Sequence, residues 1–187
     1  MKKLIIFCSF AFLAISSYSQ KVFTKTAEVK FDATSASSPE KIEGINRSGT
    51  CVIDTKNGNM QFVALMKGFA FERALMEEHF NENYVESNKY PKSEFKGDLK
   101  NIEKVDFSKD GSYTVKVKGK LTMHGESKEI ETDAKFTIQN GKIKASAELN
   151  VLLSDYKISI PGLVADKVAK TAKISINCSL ETLKTNP

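Results

Sequence analysis

The stretch Tyr113–Met123, YTVKVKGKLTM, constrains the fold more than any other. Tyr113, Val115, Val117, Leu121 and Met123 fall on one side of an extended chain, and Lys116, Lys118 and Lys120 on the other. A period of two belongs to a β-strand, here with one buried face and one wet face. The same alternation recurs in Ala134, Phe136 and Ile138, then in Ile143, Ala145, Ala147, Leu149 and Val151, with Asn140-Gly141 as the turn between them. Ile174, Ile176, Cys178 and Leu180 alternate with polar residues near the end, and Val29 and Phe31 share a face near the start. A further hairpin centres on Asn57-Gly58.

These runs predict eight strands, near 27–33, 47–55, 59–71, 94–102, 112–123, 128–139, 142–152 and 172–182. Eight antiparallel strands joined by short turns suit an all-β, up-and-down barrel, which leaves no exposed edge. A β-sandwich is the alternative. Only 59–71 breaks the pattern. Met60, Phe62, Ala64 and Met66 are apolar on one face, but Val63, Leu65, Phe69 and Phe71 are apolar on the other. Either a helix covers the outside of this strand, or a bulge near Gly68 swaps its faces.

Two segments depart from the period of two and predict short helical covers. In ERALMEEHFNEN, Leu75, Met76, His79 and Phe80 form one helical stripe, with Glu77, Glu78 and Asn81 facing away. In Ile160–Lys170, Pro161 can open a short helix that packs Leu163, Val164 and Val168 inward.

Residues 1–19 read as a secretory signal peptide: Lys2-Lys3, then an apolar run from Leu4 to Ile15, then Ser17-Tyr18-Ser19 before Gln20. The run is short for a permanent membrane anchor. The domain expected is therefore 20–187, exported to the periplasm or secreted. Cys8 lies inside the apolar run rather than after it, which argues against a lipid anchor. Removing the two lysines of residues 1–19 from 28 basic residues leaves 26 against 23 acids, a net charge of +3. The charges are interspersed, with no basic block of the kind that binds nucleic acid. Cys51 and Cys178 remain, either as a disulfide or as two small buried residues.

The acidic, asparagine-rich stretch 75–97 invites an enzymatic reading, and its chemistry does not support one. Outside 1–19 the only histidines are His79 and His124, and no HExxH pattern is present. Glu77 and Glu78 are adjacent and point apart on a helix, so they are no acid–base pair. No GxSxG, GxGxxG or P-loop occurs. Gly119 and Gly125 read as bulge or turn glycines. No metal, cofactor or catalytic residue is expected.

The barrel interior is then the candidate site. Its expected inward residues are Phe62, Met66, Val115, Val117, Leu121, Met123, Phe136, Ile138 and Leu149, interleaved with the small Ala134, Ala145 and Ala147. They make either a solid core or an apolar tunnel.

Three stretches resemble the YceI-like family: HFNENYVESNKYPKSEFKG, GSYTVKVKGKLTMHGESKEI and DYKISIPGLVADKVAKTAKISINCSL. The matching features are Tyr90-Pro91 followed by Phe95 and Gly97, then Gly119-x-Leu121-Thr122-x-x-Gly125-x-x-Lys128, then Asp155 to Ile160 with the closing strand. The resemblance spans about Phe31 to Leu180. It implies a lipocalin-like eight-stranded barrel holding a polyisoprenoid, fatty acyl or other apolar chain, without catalysis. It also implies that Leu75, Met76, Phe80 and Tyr84 are mouth or cap residues, and that a homodimer can form. Asn83, Tyr84 and Lys89 are candidates to hold a polar headgroup. HFNENYVES is more acidic than the usual family segment, and Gly44–Thr50 lacks the usual v-x-G-x-F. The alternative is a ligand-free envelope or stress protein acting on a partner through residues 72–89. A metal-assisted enzyme centred on His79 is a third reading.

Overall fold

The computed structural model describes residues 21–183; the signal segment expected at 1–19 lies outside them. The strands are β1 (Lys21–Thr34), β2 (Glu43–Asp54), β3 (Asn59–Leu65), β4 (Phe69–Phe71), β5 (Lys92–Lys100), β6 (Gly111–Met123), β7 (Glu126–Gln139), β8 (Lys142–Leu152) and β9 (Val168–Thr182). All pairings are antiparallel, in the order β1-β9-β8-β7-β6-β5-β3-β2, and β1 pairs with β2 to close the ring. β3 and β4 are two halves of one barrel strand, both paired with β2, so the nine segments make an eight-stranded barrel.

The split explains the two-sided pattern of 59–71. A 3-10 turn over Met66–Gly68 separates the halves and reverses the parity. Met60, Phe62, Ala64 and Met66 point inward before the turn, and Phe69 and Phe71 point inward after it, while Leu65 faces solvent. The face swap near Gly68 is present, and among the described residues no helix covers the outside of this strand. Asn46, fully buried on β2, stabilises the turn. Its Nδ2 donates to the Leu65 carbonyl at 2.8 Å, and its Oδ1 accepts from the Ser48 amide and hydroxyl at 2.8 and 2.9 Å. A Cβ on Gly68 would stand 2.6 Å from Asn46 Nδ2, so a larger residue there would displace the Asn46 amide from its bonds.

The stretch ERALMEEHFNEN is helical as predicted. Helix α1 (Ala74–His79) runs into a π-turn over Phe80–Tyr84. Its stripe is rotated from expectation. Phe80 is buried, but Leu75 and His79 are exposed. Glu77 turns in far enough to accept the Phe71 amide at 3.2 Å, and Asn81 donates to the Glu77 carbonyl at 2.9 Å. The second predicted helix does not form. Residues Gly162–Val164 make a single 3-10 turn, Leu163 is exposed rather than packed inward, and Val168 already begins β9. The segment is short because Val168 already pairs with Thr34 of β1, so the strand register takes over.

The strand ends sort into two sides. The turns at 54–59 and 139–142 and the segment 100–111 form one end, and its apolar residues Leu99, Ile102 and Val105 are buried. The segments 34–43, 65–92, 123–126 and 152–168 form the other.

Candidate functional site: an apolar cavity in the barrel

The inward faces do not fill the barrel. They enclose a cavity of about 340 Å³, within the range of ligand pockets, about 300–1,000 Å³. Its wall is overwhelmingly apolar. Of the expected interior residues, Phe62, Met66, Val117, Leu121, Met123, Phe136 and Leu149 line it. Val115 and Ile138 do not. Both are buried core: Ile138 pairs with Gly111 and Ile143 at the end opposite the cap, and Val115 pairs with the lining residue Ala134. Leu99 and Ile53 carry the lining toward that end, and Phe136 lines it with Phe107 edge-on at 5.8 Å. Ala134, Ala145 and Ala147 also line the cavity, and their small side chains leave the space.

All four predicted mouth residues, Leu75, Met76, Phe80 and Tyr84, line the same cavity. Phe80 is the anchor. Its ring lies 5.6 Å from Phe31, 5.4 Å from Phe69 and 4.9 Å from Phe71. Three tilted aromatic contacts pin the cap to β1 and β4. Gly44 makes room for this cluster, since a Cβ there would sit 2.6 Å from the Phe71 ring. Burial pushes the Tyr84 hydroxyl above its ordinary pKa. The charged and polar groups at the opening are Glu40, Arg73, His79 and Lys167, with Arg73 Nη1 2.7 Å from Glu40 Oε2. Asn83 and Lys89, expected as headgroup ligands, are not part of the lining. The Glu40–Arg73 pair was illegible because it joins the β1–β2 connection to the start of α1.

Two supports hold the walls. Gly97 on β5 faces Gly119 on β6 in regular register, and a Cβ on Gly119 would lie 2.9 Å from the Phe95 ring. Gly119 is thus neither a bulge nor a turn residue. The glycine pair lets the Phe95 ring lie flat on the sheet and wall the cavity. Gly125 is a turn glycine, with φ +77°. Beside it His124 bonds through Nε2 to Glu86 Oε2 at 2.7 Å and through Nδ1 to the Tyr156 carbonyl at 2.8 Å, with the Tyr90 ring edge-on at 4.6 Å. Glu86, His124 and Lys157 all have positive φ around this knot. It ties the end of the cap, the β6–β7 turn and the segment after β8 together. Sequence reading missed it, because its three parts are far apart in the chain.

Cys51 and Cys178 are free thiols, both buried and both on the cavity wall. The Cys178 sulfur beside it, and burial, push the Cys51 thiol up. His79 stands at the rim, and among the described residues no group of three or more His, Cys, Asp or Glu converges to hold a metal ion.

The YceI-like domain model matches residues 18–180. Among solved structures, a polyisoprenoid binding domain from Saccharophagus degradans superposes with a TM-score of 0.76 at 13% identity, covering 88% of this chain and 99% of that one. BcnA of Burkholderia cenocepacia gives 0.66 at 13% identity, covering 83% and 96%. The YCEI protein of Campylobacter jejuni gives 0.57 at 19% identity, covering 78% and 87%. No curated protein matches the sequence. With most of its length matched, and with the predicted barrel in place, this chain belongs to the YceI-like domain family.

Proposed function

We propose that this protein is a carrier that holds one apolar chain, a polyisoprenoid, fatty acyl chain or similar lipid, inside its barrel. The observation that carries the reading is the apolar cavity whose charged side chains, Glu40, Arg73 and Lys167, stand at the opening. Each methylene removed from water contributes about 0.8 kcal/mol, so a long chain binds without any dedicated polar contact. A polar headgroup would remain at the rim beside Arg73, Lys167 and His79. The likeness to a polyisoprenoid binding domain supports this class of cargo. Reversible burial, rather than catalysis, is the function. The signal-like residues 1–19 support export, and the carrier would work in the periplasm or outside the cell.

The test is titration of a fluorescent fatty acid into the detergent-free protein and into Val117→Arg. Val117 lies on the wall, so an arginine there fills the cavity and puts a charge in it. The wild type should saturate at one probe per barrel, and the folded variant should not bind. Equal affinity in a folded variant would refute a central apolar site.

A further inference from the structure

Large exposed hydrophobic side chains are unevenly placed on this barrel. Among the described residues there are four: Leu163 at 95% exposure, Leu75 at 60%, Leu65 at 54% and Leu152 at 43%. Scattered exposed leucines are ordinary on a protein surface. Here, however, all four stand at the open end. Leu65 and Leu152 are the last residues of β3 and β8, Leu75 is on α1 over the mouth, and Leu163 is in the turn before β9. The opposite end presents Lys56, Asn57, Lys104, Lys109 and Asp110 instead.

The chain just after the Leu163 turn is tied to the β1–β2 connection. Ser35 and Ser37 hydroxyls both donate to the Asp166 carbonyl, and the Ser35 amide donates to the Lys167 carbonyl at 3.0 Å. The next residue, Val164, belongs to the cavity lining, so the exposed leucine is continuous with the opening. Anchored and almost fully solvated, it pays the hydration cost of a leucine side chain that has nothing to pack on.

We propose that this end of the barrel docks on the surface of a lipid bilayer, with Leu163 as the leading inserted residue. The inference rests on the carrier reading, and supplies its route of loading. An apolar chain enters most directly at the end where the cap residues line the cavity, and in water that chain resides in a lipid phase. The chemistry of the surface favours a bilayer over a protein. Four aliphatic side chains on four separate elements need no shape-matched partner in a fluid apolar phase. The aromatic residues that anchor protein interfaces are turned inward here, around Phe80. Lys167 and Lys170 follow the turn, beside Asp166, and suit lipid phosphates.

The experiment compares wild type, Leu163→Asp and, as a charge control at the other end, Lys109→Asp. Each is floated with phosphatidylcholine vesicles containing phosphatidylglycerol, and the rate of fluorescent fatty acid extraction from those vesicles is followed. Leu163→Asp should lower both flotation and extraction rate by about tenfold, the factor from losing partial burial of one leucine. Its affinity for probe already in water should match wild type, and Lys109→Asp should behave as wild type. Equal flotation and extraction by wild type and Leu163→Asp would overturn the proposal. So would a wild-type dimer, seen by ultracentrifugation, that Leu163→Asp dissociates, because the surface would then belong to a second copy. Leucine-dependent flotation of a protein that binds no probe would sustain docking and defeat the carrier reading.

Discussion

Ala147→Phe separates a hollow barrel from a solid one, because the two respond with opposite signs. Ala147 on β8 faces Ala134 on β7 and Ile176 on β9, and all three line the cavity. A phenylalanine adds roughly 100 Å³ of side chain, and at about 24 cal/mol per Å³ of cavity removed the gain reaches about 2 kcal/mol. Imperfect fit subtracts from this, so the cargo-free variant should be as stable as wild type or more so. In a close-packed core the same insertion would cost about 1–3 kcal/mol, lowering Tm by roughly 2–4 °C per kcal/mol for a chain of this size. The assay is urea unfolding of delipidated protein, paired with titration of the fluorescent fatty acid. The account expects unchanged or raised stability together with loss of probe binding. A variant destabilised by 2 kcal/mol or more, or one that still binds at wild-type affinity, would refute the reasoning.

Three further outcomes follow from the supports of the cavity. Gly119→Val should destabilise the barrel by about 2 kcal/mol or more, through backbone clash with Lys96 and Gly97 and loss of the Phe95 seat; urea unfolding at wild-type stability would contradict that role. His124→Ala removes the partners of the Tyr156 carbonyl and of Glu86, costing about 1–3 kcal/mol, and should speed hydrogen exchange at the Val85, Ser87, Lys89 and Tyr90 amides. Unchanged exchange there would show that the knot does not hold the cap. Lys96 at 3.0 Å and Gln61 at 2.7 Å hold the Glu94 carboxyl down at about 2, below its ordinary 4.5. The stabilisation is full above pH 4.5 and is lost as pH falls toward 2, about 1 kcal/mol after solvent screening. Glu94→Gln should therefore flatten the acid limb of the stability curve, and parallel limbs would contradict this.

The barrel was legible in the sequence because one strand face is wet. Lys116, Lys118 and Lys120 assign β6 its sides without ambiguity, and the same parity carries through β7, β8 and β9. Parity gives a residue's face but not whether that face meets open space. Val115 and Val117 are equivalent in pattern, yet Val117 lines the cavity and Val115 is solid core. Phe136 and Ile138 divide in the same way. The mouth was only half legible. Phe80 could be placed on an apolar stripe, but its partners Phe31, Phe69 and Phe71 come from distant strands. In 160–170 the apolar spacing suggested a helix, whereas pairing with Thr34 of β1 draws Val168 into the sheet. The failed inward packing of Leu163 is what exposes the surface proposed to meet the membrane.

The most direct measurement is mass spectrometry of solvent extracts from protein purified without detergent from its native source. The account predicts one polyisoprenoid or fatty acyl species per barrel in wild type, and none in Val117→Arg. Extracts free of any apolar chain, from wild-type protein that also fails to take up the fluorescent probe, would contradict the claim that the cavity is a carrier site.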